Sequence, residues 1–127
     1  MADWTSDELT RIGDADEMRI APLRRDGTLR TPVIVWMVRL GDDVYTRSVN
    51  GPDAGWFRGT RVRHEGRIST GNVEKDVSFV DVDVADPIND ELDAAYQAKY
   101  RRYPGPVASI TNPLARSATL KLIPQGG

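Results

Sequence analysis

Residues 47–59, RSVNGPDAGWFRG, hold the side chains best suited to binding a ligand. A strand end followed by an Asn-Gly pair can turn several backbone N–H groups toward one point and form an anion nest. The Arg47 guanidinium would add bidentate recognition of a phosphate or carboxylate. The alternative is a surface arginine held by an acidic neighbour such as Asp53. The pattern therefore predicts an anion site at Arg47, Ser48, Asn50 and Gly51.

Aromatic side chains in and near this segment could complete a site for a planar molecule. Trp56 could stack on a flat ring at a groove wall, or it could plug the mouth of the fold as a core residue. Trp36 lies within an apolar run and is interpreted as core. The hydroxyl of Tyr45 or Tyr96 could donate a proton to a bound substrate, while the other interpretation of Tyr96 is packing against the barrel or a dimer partner.

Other kinds of chemistry lack the residues they need. The 127 residues include no cysteine, which excludes disulfides, thiolate zinc sites and cysteine nucleophiles. His64 is the single histidine and the acidic residues match no calcium loop, so no metal site is predicted. The net charge of -2 gives no basic field for nucleic acid. Arg61 and Arg63 are interpreted as a solvated strand face.

The apolar runs are too short for a membrane span or a secretory signal, so we expect a cytoplasmic protein without membrane contact. The chain length suits one domain covering residues 1–127.

The elements that must position these residues follow from periodicity and turn signals. Thr5 with Glu8 three residues later forms a capping-box pattern and predicts an N-terminal helix. Asp86-Pro87 predicts the start of a second, longer helix that ends before Pro104. Short turns between strands favour a mainly antiparallel sheet that closes or half-closes. Strands are predicted at residues 18–23, 31–40, 44–49, 60–70, 73–84 and 119–123.

Several of these segments resemble a known superfamily. The motifs are Arg24-x-x-Gly27, Pro32-x-x-x-Trp36, Gly41-Asp42-Asp43-x-Tyr45-x-Arg47-Ser48 and Gly55-Trp56-Phe57-Arg58. Together they resemble the FMN-binding split-barrel superfamily, and residues 48–58 are similar to the loop of deazaflavin-dependent nitroreductases. The whole chain looks most like an uncharacterised bacterial family, domain of unknown function 2255. The fold predicted is α+β: a six-stranded, mainly antiparallel split β-barrel with an N-terminal helix and a long helix in the C-terminal half.

The resemblance also implies a function. It implies a homodimer that binds FMN or a deazaflavin in the subunit groove and acts as an oxidoreductase on a small organic molecule. Arg47, Ser48, Asn50 and Gly51 would then meet a phosphate, with Trp56 and Arg58 flanking it. Two alternatives remain open. The same groove could serve a cofactor-independent isomerase or cyclase, or it could bind a small molecule without catalysis.

Overall fold

Seven strands and five helices follow one another along residues 3–125, the part of the chain that the computed structural model describes. In chain order they are α1 Ser6–Asp14, β1 Met18–Pro22, β2 Val33–Val35, β3 Met37–Leu40, β4 Asp43–Arg47, α2 Gly55–Arg63, β5 Glu65–Thr70, β6 Val73–Val82, α3 Ile88–Lys99, α4 Pro104–Ile110, α5 Pro113–Arg116 and β7 Thr119–Pro124.

All the strands belong to one sheet, in the order β2-β1-β5-β6-β7-β4-β3, and each neighbouring pair is antiparallel. The two edge strands, β2 and β3, are halves of one stretch of chain separated only by Trp36. Because both edges belong to one continuous segment, the sheet curls until they meet and forms a nearly closed barrel. The predicted α+β antiparallel barrel is confirmed.

The described strands number seven rather than the predicted six because the expected strand over residues 31–40 is broken at Trp36. The Trp36 carbonyl accepts hydrogen bonds from Thr46 Oγ1 at 2.7 Å and from the Tyr96 hydroxyl at 3.1 Å. These side chains take over an acceptor that a continuous strand would use in its ladder. β2 therefore pairs with β1 and β3 with β4, on opposite sides of the break.

The extended conformation predicted for residues 60–63 was wrong, because α2 continues through Arg63. Phe57 and Thr60, three residues apart, are both buried on the inner face of this helix. His64 ends it in the left-handed conformation, with φ of 55° and its N–H bonded to the Thr60 carbonyl. Arg61 and Arg63 therefore belong to a helix and not to a strand face.

Two apolar clusters lie on opposite faces of β4, whose buried side chains alternate between them. Val44 joins the cluster that fills the barrel, together with residues of α1, α2 and most strands. Tyr45 joins a second cluster, formed with α3 and α4. Because both faces of β4 are covered, its end at Arg47 is buried as well.

The helix starts largely follow the predicted capping. Thr5 accepts from the Glu8 N–H at 3.1 Å while Glu8 accepts from the Thr5 N–H, so the capping box is present. At α3 the Asp86 carboxylate accepts from the Ile88 N–H at 2.9 Å, and α3 begins one residue after Pro87.

None of the helices within residues 3–125 has both the length and the apolar composition that a membrane span requires.

Candidate functional site

A cavity of about 340 Å³ lies beside the break between β2 and β3. It brings together three of the predicted site residues, Arg47, Asn50 and Trp56, with Trp36, which was predicted as core. Such a volume is at the lower end of the range for ligand pockets, about 300–1,000 Å³. The lining residues are Glu17, Ile34, Val35, Trp36, Arg47, Val49, Asn50, Trp56, Pro106 and Ile110.

Two half-buried tryptophans provide flat walls for this cavity. Trp36 is held by Tyr100, whose ring lies parallel to the indole with centroids 3.9 Å apart. Trp56 lies in the first turn of α2 and meets Phe57 edge-on, with centroids 5.8 Å apart. Since both rings are braced by a second aromatic side chain, each presents a fixed apolar surface to a planar molecule.

The loop between β4 and α2 carries backbone donors to the cavity rim. Gly51 adopts a φ of +83°, and its N–H bonds to the Ser48 carbonyl at 3.0 Å, which turns the chain back toward α2. Among residues 3–125, no side chain caps the N-terminus of α2, and its first turn contains no acidic residue. The positive end of the helix dipole therefore borders the cavity next to Trp56. Asn50 and Arg58 are both exposed, and of the two only Asn50 lines the cavity.

Arg47 is only 1% exposed, and its guanidinium is fully engaged by other parts of the protein. Nη1 bonds to Asp93 Oδ1 at 2.5 Å and to the Ile110 carbonyl at 3.2 Å. Nη2 donates to the Asn89 carbonyl and side-chain oxygen, at 3.2 and 3.1 Å, and Nε donates to Thr119 Oγ1 at 3.0 Å. These contacts use all five N–H donors of the side chain.

The charge of Arg47 is also balanced internally. Asp93 bridges Arg47 to Arg116, whose Nη1 lies 2.7 Å from the second carboxylate oxygen. Arg47 therefore forms part of the cavity wall through a network that ties β4 to α3, α4 and β7. Sequence reasoning did not find these partners because Asp93 lies 46 residues and Thr119 72 residues away in the chain.

Ser48, the neighbour of Arg47, is buried but does not line the cavity. Its N–H bonds to the Ala118 carbonyl at 3.0 Å, which fixes the start of the loop against β7. Its hydroxyl is enclosed without a hydrogen-bond partner among residues 3–125. A buried hydroxyl in this state costs free energy, so it weakens the loop unless a water or ligand group satisfies it.

The two predicted proton donors do not line the cavity. Tyr45 and Tyr96 are both buried in the second apolar cluster, between the outer face of β4 and α3. Burial raises the pKa of both hydroxyls, and at Tyr45 the Asp43 carboxylate adds to the effect. The Tyr96 hydroxyl donates to the Trp36 carbonyl and so supports the break that shapes the cavity.

Glu17 lines the cavity and was not singled out by sequence reasoning. It directly precedes β1, whose Met18 pairs with Val35, so Glu17 lies across from Trp36. Only the pairing of β1 with β2 brings it to the site, and no local pattern in the sequence carries that information.

The fold and this cavity define a split-barrel protein. The chain belongs to a bacterial family described as "Uncharacterized protein conserved in bacteria (DUF2255)", whose model matches residues 8–122. No curated protein sequence matches the chain.

Three solved structures share the fold at low sequence identity. The crystal structure of HutZ, described as the heme storage protein from Vibrio cholerae, is 10% identical with a TM-score of 0.71, over 99% of this chain and 93% of that one. An "F420 Reductase" is 18% identical with a TM-score of 0.57, over 92% of each chain. The FAD and heme binding protein from Mycobacterium smegmatis is 15% identical with a TM-score of 0.52, over 98% of this chain and 68% of that one.

Proposed function

We propose that this protein binds a flavin-type cofactor, FMN or a deazaflavin, in the cavity and acts as an oxidoreductase on a small organic molecule. The observation that carries the proposal is the cavity itself, walled by Trp36 and Trp56 and bordered by the uncapped start of α2. Proteins of the same fold include a heme storage protein, an F420 reductase and an FAD and heme binding protein.

The residues present fit the planar part of such a group. The ring system would lie against Trp36 and Trp56, where apolar surface and stacking favour a flat aromatic molecule. The cavity volume of about 340 Å³ suits a ring system better than a whole dinucleotide, which favours FMN or a deazaflavin over FAD.

An anionic tail would meet the start of α2. The free N–H groups of the first turn and the helix dipole attract a phosphate, and Asn50 of the cavity lining and the exposed Arg58 of α2 could add polar contacts. Ser48 and Gly51 would contribute by holding the loop in place. Arg47 would shape the wall rather than touch the phosphate, because its five donors are already used.

A bound flavin or deazaflavin supplies hydride transfer, while the protein supplies binding, orientation and electrostatics. Trp36, Trp56 and Ile110 would exclude water from one side of the ring. A second copy of the chain would cover the other side. Three apolar residues around this rim are exposed and would be buried by that contact: Ile34 at 55%, Val49 at 44% and Leu114 at 52%.

The test is titration of the purified protein with FMN, FAD, F420 and hemin, followed by tryptophan fluorescence and visible absorbance. We expect saturable binding of FMN or F420 at micromolar concentration, and reoxidation of the bound reduced cofactor by a quinone. Absence of saturable binding by both FMN and F420 would overturn the proposal.

Matched variants locate the site. Trp56→Leu keeps an apolar side chain, although a smaller one, but removes the flat ring, and it should weaken binding about tenfold. Asn50→Asp adds a negative charge at the rim and should weaken binding of a phosphate-bearing cofactor more than that of its dephosphorylated form. Asn72→Asp, in the β5–β6 turn, makes the same change elsewhere and should leave both affinities unchanged.

Analytical ultracentrifugation tests the proposed homodimer. Ile34→Arg places a charge in the proposed contact and should dissociate the dimer.

A second candidate is a cofactor-independent isomerase or cyclase, or a small-molecule-binding module without catalysis. The observation that favours it is the presence of Glu17 in the cavity lining, since a carboxylate can accept and return a proton. A site of this kind would bind a small neutral heterocycle and none of the four cofactors. Native mass spectrometry of the protein as purified separates it from the first proposal.

A further inference from the structure

Glu17 is the acidic residue of the cavity lining, and its backbone position is fixed. The Thr70 hydroxyl donates to the Glu17 carbonyl, and the β1–β2 pairing beside it places Glu17 across from Trp36. The side chain is exposed, and within residues 3–125 its carboxylate makes no hydrogen bond and no ion pair. The acceptor atoms of Glu17 are therefore free for a ligand.

The other charged residue of the cavity lining is already neutralised, which leaves the Glu17 carboxylate to influence which ligand binds. Glu17 and Arg47 are the two charged residues of the cavity lining. The guanidinium of Arg47 lies 2.5 Å from Asp93 and has no donor left. The charge in the lining that remains uncompensated is therefore negative and belongs to Glu17.

We propose that Glu17 is a specificity-determining residue that selects planar heterocycles presenting an N–H or cationic amino group at their edge. This rests on the proposed function in so far as the cavity must be a ligand site. An ionised carboxylate accepts hydrogen bonds and donates none, and its bonds to N–H groups are strengthened by charge. A ligand with an anion or a bare carbonyl at that edge meets repulsion instead. The ring therefore lies against Trp36 with its donor edge toward Glu17.

Glu17 also stands at the junction with a neighbouring cavity of about 390 Å³, since Glu17 and Ile34 line both. Asp16, the adjacent carboxylate, lines the second cavity and not the first. Asp16→Asn therefore makes the same charge change one residue away, outside the proposed contact, and serves as the matched control. Because Glu17 and Asp16 are both exposed, neither substitution should disturb folding, which thermal unfolding verifies.

The test compares three planar probes by fluorescence titration: lumiflavin, its N3-methyl derivative and the cationic dye proflavine. The wild type should bind lumiflavin about tenfold more tightly than the methylated form, because methylation removes the N–H donor. Glu17→Leu should abolish that preference. Glu17→Gln should weaken proflavine about tenfold and reduce the salt dependence of its binding. Asp16→Asn should behave as wild type in every titration.

The outcomes separate this inference from the proposed function. If the wild type binds both lumiflavins equally and Glu17→Gln binds proflavine normally, the inference fails even where FMN binds. If proflavine binding depends on Glu17 while no flavin binds, the inference stands and the flavin proposal fails. If no probe binds, the inference is overturned, and the flavin proposal is decided separately by the titrations with FMN and F420.

Discussion

The indole of Trp36 lies parallel to the ring of Tyr100, with centroids 3.9 Å apart and planes inclined by 3°. Tyr100 is buried, and its hydroxyl lies 2.9 Å from the Asp16 carbonyl and 3.0 Å from the Met37 carbonyl. It also accepts from the Met37 N–H at 3.3 Å. The Tyr100 side chain thus supports both the Trp36 wall of the cavity and the start of β3.

Substitution of Tyr100 should separate these two contributions. Tyr100→Phe keeps the stacked ring but leaves backbone groups unpaired, and we expect a loss of about 1–3 kcal/mol in the free energy of unfolding. Tyr100→Leu also removes the stack and should cost about 0.5–1.5 kcal/mol more. Urea denaturation measures both values. Tyr103→Phe, at an exposed position outside α3, is the control and should change little. Equal stabilities for the Phe and Leu variants would contradict the role of stacking.

Arg47 should behave as a structural residue in the absence of any ligand. Arg47→Met leaves the carbonyls of Asn89 and Ile110 without their Arg47 donor, while Asp93 keeps only its pair with Arg116, and it should destabilise the fold by about 2–4 kcal/mol. Arg47→Lys should recover only part of this loss, because an ammonium has three donors without the planar fork. Arg58→Met, on the exposed face of α2, is the matched control. A stability of Arg47→Met equal to that of the control would refute the network.

Lys99 should make stability depend on alkaline pH. Burial lowers the pKa of its ammonium from the ordinary 10.5 to about 8, although Nζ donates to the Met37 carbonyl at 2.9 Å and the Ile12 carbonyl at 3.3 Å. Between these two pKa values the unfolded chain binds more protons than the folded protein. The free energy of unfolding should therefore rise with pH across this window.

Lys99→Met removes that group and provides the comparison. The stability of the wild type relative to Lys99→Met should increase as the pH is raised from 8 to 10.5, the span between the folded and ordinary pKa values. Denaturant titrations at several pH values in this range measure the difference. A constant difference would show that Lys99 titrates normally in the folded state.

Gly51 should tolerate no side chain. Its φ of +83° disfavours L residues, and an added Cβ would lie 2.6 Å from Leu114 Cδ1. Gly51→Ala should therefore displace the loop between β4 and α2 and lower both stability and ligand affinity. Gly41→Ala, with a φ of +62° and open space around it, isolates the backbone strain, about 1–2 kcal/mol. Adding Leu114→Ala should restore part of the loss at Gly51 and nothing at Gly41. Thermal unfolding compares all these variants.

Local rules predicted the parts of the fold that depend on neighbouring residues. The capping box of Thr5 and Glu8 is present, and alternation located β1, β4, β6 and β7 to within two residues at each end. The same rules failed at residues 60–63, where alternating side chains suited a strand. The burial of Phe57 and Thr60 on one helical face decided otherwise.

For the candidate site, the loop could be predicted but the directions of its side chains could not. The glycines and aromatics of residues 47–59 indicated a segment that borders the cavity with Asn50 and Trp56. Because Arg47 lies at the end of β4, its side chain could point toward either of the two apolar clusters. The direction of the Arg47 side chain is set by its hydrogen bonds to Asp93 of α3 and Thr119 of β7, which lie late in the chain.

An antiparallel α+β barrel could be predicted from residue order, because strand alternation and turn chemistry act over a few residues. The break at Trp36, the burial of Arg47 and the position of Glu17 at the cavity depend on the folded chain. Each of these depends on hydrogen bonds or strand pairs between distant segments, such as the one from Tyr96 to the Trp36 carbonyl. Their free energy appears only when the sheet closes and brings both partners out of water together.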